Sequence, residues 1–433
     1  MASFFRKLKH IVPDKPGRRY NIACGTNTLT EWLMSFQLLF SVEVNNKLSV
    51  IHKYERQFAA VTGTDHAFSF GAGRMAFFAI LEALEIKRDD EIIIPAFTCV
   101  VVPNAILYHG AKPIYVDIES DLFNIDVSKI ELAITSKTKA LYAQHTFGIP
   151  CDVKKIREIA DRHGLYVIED AAHALGSTVD GVPVGALSDA AFFSTDHTKT
   201  ISTHAGGMAV TNNSVLAEKL RIIQQNAPFL SGFTTRRILL TFMLEYVLFS
   251  APKLWLGRAI YNVMLKAKLL FYFSDELKTK KPTGYPFPCR LSSALAEIGI
   301  RQIDKLAENI KHRNEVSEYI ESKLQWNKSH LEKTQNSVLL RYSFLVDDRN
   351  AFESLFSNHF DLGIWFTSVV QGRNLNLNLV GYKTGSCPVA EQVSRQIVNF
   401  PTHPRIPLKI LKKELDKNWI WLENHIVRDD EIG

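Results

Sequence analysis

The chain has little cysteine. Its five cysteines among 433 residues (Cys24, Cys99, Cys151, Cys289 and Cys387) are scattered, and no two stand in CxxC spacing. That argues against a disulfide framework and a zinc site, so no metal is expected and a reducing cytoplasm is the expected compartment. A long apolar run is also lacking. A membrane-spanning helix needs about 20 apolar residues. The longest stretch without Asp, Glu, Lys or Arg, Ile92–Ala111, contains Pro95 and Pro103 and reads as strand, loop and helix. The start, MASFFRKLKHIV, has no apolar h-region and no small-residue cleavage site, so no secretory signal is expected. Charge of one sign is lacking too. Lys plus Arg number 51 against 45 Asp plus Glu, and no stretch concentrates the excess of +6. Nucleic acid is therefore not an expected partner.

The composition that remains is globular. Hydrophobic residues make up 46% and charged residues 22%, enough for a large core. At about 100–200 residues per domain, the length implies two or three domains. From about Leu48, apolar runs of four to six residues alternate with helical patterns. Strands are expected at His66–Phe70, Glu91–Ile94, Pro113–Val116, Ala140–Gln144, Leu165–Ile168, Ala190–Phe193 and Met208–Thr211. Helices are expected at Tyr54–Val61, Met75–Leu84, Pro103–Tyr108 and Val153–His163. This alternation predicts an α/β fold with a mainly parallel sheet. Ligands of such sheets gather at the carboxyl ends of the strands. Gly73, Asp170, Ser194 and Lys199 fall at those ends. Farther on, a broken helix is expected over Leu291–Leu324, a strand at Ser337–Phe344, and helices at Asn350–Asn358 and Leu408–Asn424. That order suits a smaller α+β domain.

Three groups carry candidate chemistry. Gly71-Ala-Gly73-Arg74 stands between a strand and a helix, where free backbone N–H groups bind phosphate and glycine lets a ligand approach. The string also fits the dinucleotide pattern G-x-G-x-x-A, but Asp89, Asp90 and Glu91, near the ribose-ligand distance, precede a strand instead of ending one. Asp170 ends a buried strand, where a carboxylate is costly without a cationic partner; a helix N-cap is the bland reading. Lys199 lies in the loop after the next strand. A lysine in a closed site loses its charge more readily and can form a Schiff base, although a solvated surface lysine is commoner. Together these are the parts pyridoxal phosphate needs: a phosphate cup, a pyridinium partner and a Schiff-base lysine.

The sequence resembles the DegT/DnrJ/EryC1/StrS family of pyridoxal-phosphate-dependent sugar aminotransferases. The likeness rests on YERQFAAVTGTDHAFSFGAGRMAFFAILEAL, DEIIIPAFTCVVVPNAILYHGAKPIYVDIESDLFNID, HGLYVIEDAAHALGSTVDGVPVGALSDAAFFS and GGMAVTNN. It covers residues 48 to 228 and resumes, more weakly, over 285 to 425. The resemblance implies a fold-type I transferase with a large α/β domain, a smaller C-terminal α+β domain and a homodimeric state. It implies that Lys199 holds pyridoxal 5'-phosphate and shuttles the proton. Asp170 would pair with the ring nitrogen, and His173 would lie against the ring or bond its hydroxyl. Gly73, Arg74 and Ser194 would hold the phosphate. His145, in the H-x-x-G-x-P block, and Arg290 are implied near the substrate, though His145 reads equally well as a packed structural residue. The implied reaction takes an amino group from a donor such as glutamate and gives it to a keto sugar, nucleotide-linked, in polysaccharide or glycoconjugate biosynthesis.

Several positions depart from the family pattern. Cys99 stands where an aromatic residue often stacks on the cofactor, unless Phe97 substitutes. Ala205 replaces the acidic residue before the paired glycines. Pro288 replaces the Asn of G-x-N-x-R, so the phosphate site across the dimer interface must differ. The stretch Ile238–Phe273 is outside the pattern, rich in Leu, Phe and Tyr, and split by Pro252 into two expected helices. It reads as a packed helical hairpin or as an amphipathic pair on a membrane surface, with Phe4-Phe5-Arg6-Lys7 a second weak anchor. The expected divisions are 1–47 (N-terminal segment), 48–237 (large cofactor-binding domain), 238–280 (hydrophobic insertion) and 281–433 (C-terminal domain). Three other functions stay open: a pyridoxamine-phosphate-dependent sugar dehydratase, which the presence of Lys199 argues against; a nicotinamide-linked oxidoreductase; and a non-catalytic, membrane-associated binding protein on the same fold.

Overall fold

The computed structural model describes residues 19–22, 25–251, 253–273, 276–324, 326, 328–372 and 376–428. Pro252 and Phe4-Phe5-Arg6-Lys7 lie outside the described residues. In chain order the principal elements begin with α1 (Leu29–Leu39), α2 (Leu48–Thr62), β1 (His66–Phe70), α3 (Gly73–Ala83) and β2 (Glu91–Pro95). There follow α4 (Val101–Tyr108), β3 (Lys112–Val116), β4 (Thr138–Gln144), α5 (Val153–His163), β5 (Tyr166–Asp170), β6 (Ala190–Ser194) and β7 (Gly207–Thr211). Then come α6 (Ser214–Asn226), α7 (Gly232–Leu248), α8 (Leu254–Lys266), α9 (Ser293–Asp304) and α10 (Leu306–Leu324). The chain ends with β8 (Arg341–Val346), α11 (Arg349–Phe356), α12 (Pro388–Gln396), β9 (Ile397–Pro401), α13 (Leu408–Lys417) and β10 (Ile426–Val427).

Seven strands form the main sheet in the order β1-β7-β6-β5-β4-β2-β3. Only β7 runs against the rest, pairing antiparallel with β1 and β6. Both faces are covered, as the continuous apolar strands require. Side chains alternate across a strand. Ile92 and Ile94 accordingly join the cluster under α3 and α4, while Ile93 joins Leu141 and Val167 under α5. Local signals set the ends of α5. Asp152 accepts a hydrogen bond from the Lys155 amide at its start, and Gly164 takes a left-handed φ of 63° at its end.

A second sheet, β9-β8-β10, carries its own core, in which Phe344, Phe352, Phe356 and Phe400 pack together. Its first strand begins at Arg341, later than the sequence-based expectation of Ser337. The reason is backbone pairing with the large domain. The Val338 amide donates to Ser177 Oγ and the Leu340 amide to the Phe147 carbonyl, so neither joins the ladder.

Helices α7 and α8 form a hairpin. At Gly257 a Cβ would come 2.0 Å from the Leu248 carbonyl oxygen, so glycine permits their close approach. Trp32 of α1 donates its indole N–H to the Met243 carbonyl at 3.1 Å, which ties α7 to the N-terminal helix. Glu245 is buried in the hairpin and accepts from the hydroxyls of Tyr261 and Tyr272. No described helix is long and apolar enough to cross a membrane.

Candidate active site

Polar strand ends collect along one edge of the main sheet. Gln144, Asp170 and Ser194 close β4, β5 and β6. Gln144 is the ladder partner of Asp170, and Ser194 that of Gly207. A cleft of about 970 Å³, its open mouth included, lies above them, lined by Gly73, Arg74, Cys99, Asp170, His173, Ser194 and Lys199.

The glycine turn is a site of close approach. A Cβ on Gly73 would lie 2.9 Å from Ser194 Cβ, and one on Gly207 would lie 2.3 Å from the Gly73 nitrogen. The start of α3 is thereby pressed onto the ends of β6 and β7. The first N–H groups of a helix have no intrahelical partner, and an anion suits them. Behind the turn, Cys289 supports it: the Gly71 amide donates to the Cys289 carbonyl at 2.9 Å.

Asp170 is held from two sides. Tyr142 donates its hydroxyl to Oδ2 at 2.6 Å, and the Ala172 amide donates to Oδ1 at 2.9 Å. Burial still lifts the carboxyl above its ordinary range, against those hydrogen bonds and the charge of Lys199. Burial also lowers the Lys199 ammonium below its ordinary value, although Asp196 and Asp170 oppose this. A buried carboxylate with incomplete compensation and a lysine poised to lose its proton suit a cofactor that brings a cationic ring nitrogen and a carbonyl carbon.

His173 stacks against Trp365, with ring centroids 5.4 Å apart, and its Nδ1 accepts from the Phe147 amide at 3.3 Å. Burial drives its pKa far down, with the charges of Lys199 and Arg341 acting the same way, so the ring is neutral. The Phe147 hydrogen bond places its proton on Nε2. Cys99 lines the cleft, whereas Phe97 does not substitute for it. Phe97 is buried in a separate core, with Phe366 at 5.2 Å.

Two expected substrate residues are not brought to the cleft. His145 is fully buried behind its wall, with Nε2 2.9 Å from Glu169 and Nδ1 accepting from the Cys151 amide. Arg290 lines a different groove with Glu55 and stacks over Phe229 at 4.5 Å. Among the described residues, no group of three His, Cys, Asp or Glu side chains is placed to hold a metal ion.

Sequence reasoning missed several residues of the site. Gln144 closes β4 and lines the cleft, and Tyr142, two residues earlier, reaches Asp170 from below; that period-two placement at a strand end was their available signal. Trp365 and Phe366 come from the C-terminal domain, and Tyr272 and Phe273 from the segment after α8. Only the tertiary fold brings them in.

The profile of the DegT/DnrJ/EryC1/StrS aminotransferase family matches residues 41–230 and 268–413. The chain belongs to this family. It is accordingly a pyridoxal-phosphate-dependent sugar aminotransferase. It is 29% identical over 360 residues to a GDP-perosamine synthase of Caulobacter vibrioides, covering 82% of this chain and 85% of that protein. A GDP-perosamine synthase of Vibrio cholerae is 28% identical over 300 residues, 69% of each chain. Among solved structures, S. venezuelae DesV in complex with a ketimine intermediate superposes with a TM-score of 0.69 at 25% identity, covering 91% of this chain and 95% of that one. The match skips residues 231–267, a stretch that contains α7 and α8.

Proposed function

We propose that this aminotransferase moves an amino group from a donor such as glutamate to a nucleotide-linked keto sugar, as a homodimer, for glycoconjugate or polysaccharide synthesis. The observation that carries the chemistry is the convergence of Lys199, Asp170 and the Gly73–Ser194 contact on one cleft. The names of the GDP-perosamine synthases support the substrate class.

Bound pyridoxal phosphate supplies an electron sink for the carbon that exchanges its amino group. The chain's own residues do the rest. The N-terminus of α3, with Arg74 and Ser194, anchors the anionic phosphate. Asp170, oriented by Tyr142, balances a protonated ring nitrogen. Neutral His173 offers its Nε2 proton as a donor. Lys199 Nζ takes the proton from the substrate carbon and returns it on the other side of the shift. Its lowered pKa gives a larger free-base fraction near neutral pH than an ordinary lysine has. The aromatic walls exclude water from that transfer.

The cytoplasmic reading includes a peripheral contact with the membrane through the α7–α8 hairpin. An exposed apolar stripe on α8, flanked by lysines, supports it.

The deciding experiment compares wild type with Lys199→Ala. The purified wild-type protein is expected to show visible cofactor absorbance that glutamate bleaches and a keto-sugar nucleotide restores. Lys199→Ala is expected to lose at least about 100-fold in turnover, the lower range for a positioned proton carrier. Normal turnover by the variant would remove Lys199 from the mechanism.

A further inference from the structure

Beside the cleft lies a narrow side pocket, about 320 Å³ with its open mouth, whose enclosed part has room for only about one hydroxyl- or water-sized group. It shares Asp196, His197, Ala205, Tyr272 and Phe273 with the cleft, so one ligand can reach both. Its far wall is α7, through Ile238, Thr241, Phe242 and Glu245. That wall lies in the segment the family profile skips.

His204 faces this space. The residue is 7% exposed, and its ring stacks on Phe242 with centroids 3.5 Å apart. Neither Nδ1 nor Nε2 has a hydrogen-bond partner among the described residues. Buried polar atoms without partners are rare, and a ligand is one way to satisfy them. Burial holds the imidazole far below its ordinary pKa, so it is neutral, with one N–H donor and one bare acceptor nitrogen.

The other lining residues narrow the ligand class. Asp196 and Glu245 bring acidic oxygens, and no Lys or Arg lines the pocket. A phosphate or carboxylate would meet no cation there. A hydroxyl both donates and accepts, which matches the neutral ring. Phe242 is fully buried under the His204 ring, and the enclosed space admits a single hydroxyl, so the sugar ring itself would lie in the adjoining cleft.

We propose that this side pocket receives one hydroxyl of the keto-sugar substrate, whose ring lies in the cleft, and that His204 binds that hydroxyl against the wall provided by α7. This rests on the nucleotide-sugar reading above.

Calorimetric titration of the holoenzyme tests it without turnover. The probes are GDP-mannose and UDP-glucose, each beside its singly deoxygenated analogues, added to wild type and to His204→Phe. His204→Phe keeps the stack on Phe242 but removes both nitrogens. It is expected to bind the better parent sugar about tenfold more weakly, the scale of one good hydrogen bond. One deoxy analogue is expected to show that loss already in wild type, with no further loss in the variant. Ile238→Phe fills the pocket from the α7 side. It should weaken the parent sugar and spare the same analogue, and it serves if His204→Phe does not fold. Analogues that lose equally in all three proteins would show that His204 meets no substrate hydroxyl and would overturn the subsite alone. If neither nucleotide sugar binds wild type, the substrate reading fails and the subsite falls with it.

Discussion

The Lys199 ammonium nitrogen lies 4.7 Å from the centroid of the Trp365 ring, and the Arg341 guanidinium lies 3.7 Å from the same centroid. One indole thus serves two cations at the boundary between the domains. A cation over an aromatic face is stabilised by about 0.5–2 kcal/mol, depending on desolvation. Trp365 therefore opposes the burial that lowers the lysine's pKa. Trp365→Leu should lower the Lys199 pKa further, by up to about one unit. The acid limb of the kcat/KM profile should then move to lower pH. Trp365→Phe, which keeps a smaller ring, should fall between. A profile unmoved in both variants would mean that the ring does not set the lysine's charge.

Asp170 offers a test in the opposite sense. Its folded pKa is raised above the unfolded value by burial. Such a group favours folding in its protonated form and loses that contribution as pH rises through the folded value. At neutral pH the ionised carboxylate is thus a liability to the cofactor-free protein, although the cofactor needs it. Asp170→Asn should raise the apparent Tm of the cofactor-free enzyme, by about 2 °C or less for each kcal/mol relieved in a chain of this size. The gain should shrink as pH falls toward the carboxylate range. The same variant should retain the cofactor poorly and turn over slowly. An Asn variant less stable than wild type when cofactor-free would show that Tyr142 and Ala172 already compensate the charge.

What was legible in the sequence follows from which forces are local. Val153–His163 was readable because its apolar spacing, Asp152 cap and Gly164 stop all act within one helix. His66–Phe70, with its bounds, followed from a short apolar strand before a glycine turn. Asp170 and Lys199 stood out as candidates only together with the glycine turn, since a strand-end carboxylate and a loop lysine each have a bland reading alone. Helix α1 escaped the sequence reading. Its outer face carries Leu29, Leu33 and Phe36, with Phe40 just past its end, all exposed, so its apolar residues do not mark a buried side. Trp365 was invisible for a different reason. It follows β8 by many residues, and only docking of the two domains sets it over Lys199. His145 was readable either as a substrate neighbour or as a packed structural residue, and its hydrogen bonds to Glu169 and Cys151 inside the wall fit the second.

Gly207 is expected to be intolerant of any side chain. A methyl there would meet the Gly73 nitrogen at 2.3 Å and the Ala72 carbonyl carbon at 2.4 Å, both backbone atoms that cannot swing aside. Gly207→Ala must push α3 off the sheet. Overpacking of this kind costs about 1–3 kcal/mol. Because the same helix start forms the anion cradle, affinity for inorganic phosphate and for the cofactor should fall together with stability. Titration of phosphate into the cofactor-free variant, beside its thermal melt, separates the two effects. Unchanged phosphate affinity would place the anion elsewhere in the cleft.

The α8 surface can be tested apart from catalysis. Leu256, Ile260, Val263 and Ala267 recur at helical spacing, and all are exposed. Lys253, Lys266 and Lys268 flank them, also exposed and without an ion pair among the described residues. Between Tyr246 and Phe273 the sequence carries no Asp or Glu at all outside the undescribed positions, and Pro252 is neutral. An apolar stripe edged by lysines fits an anionic lipid surface, where each basic side chain contributes about 1 kcal/mol. Wild type should sediment with vesicles containing phosphatidylglycerol and much less with phosphatidylcholine alone. The double variant Lys266→Glu/Lys268→Glu should lose at least about tenfold in that binding, and Val263→Glu should lose it without restoring charge preference. Both should keep their cofactor absorbance, because neither position lines the cleft. If Val263→Glu instead changes the sedimentation coefficient of the protein without lipid, the stripe is a contact between two copies of the chain, and the membrane contact is wrong.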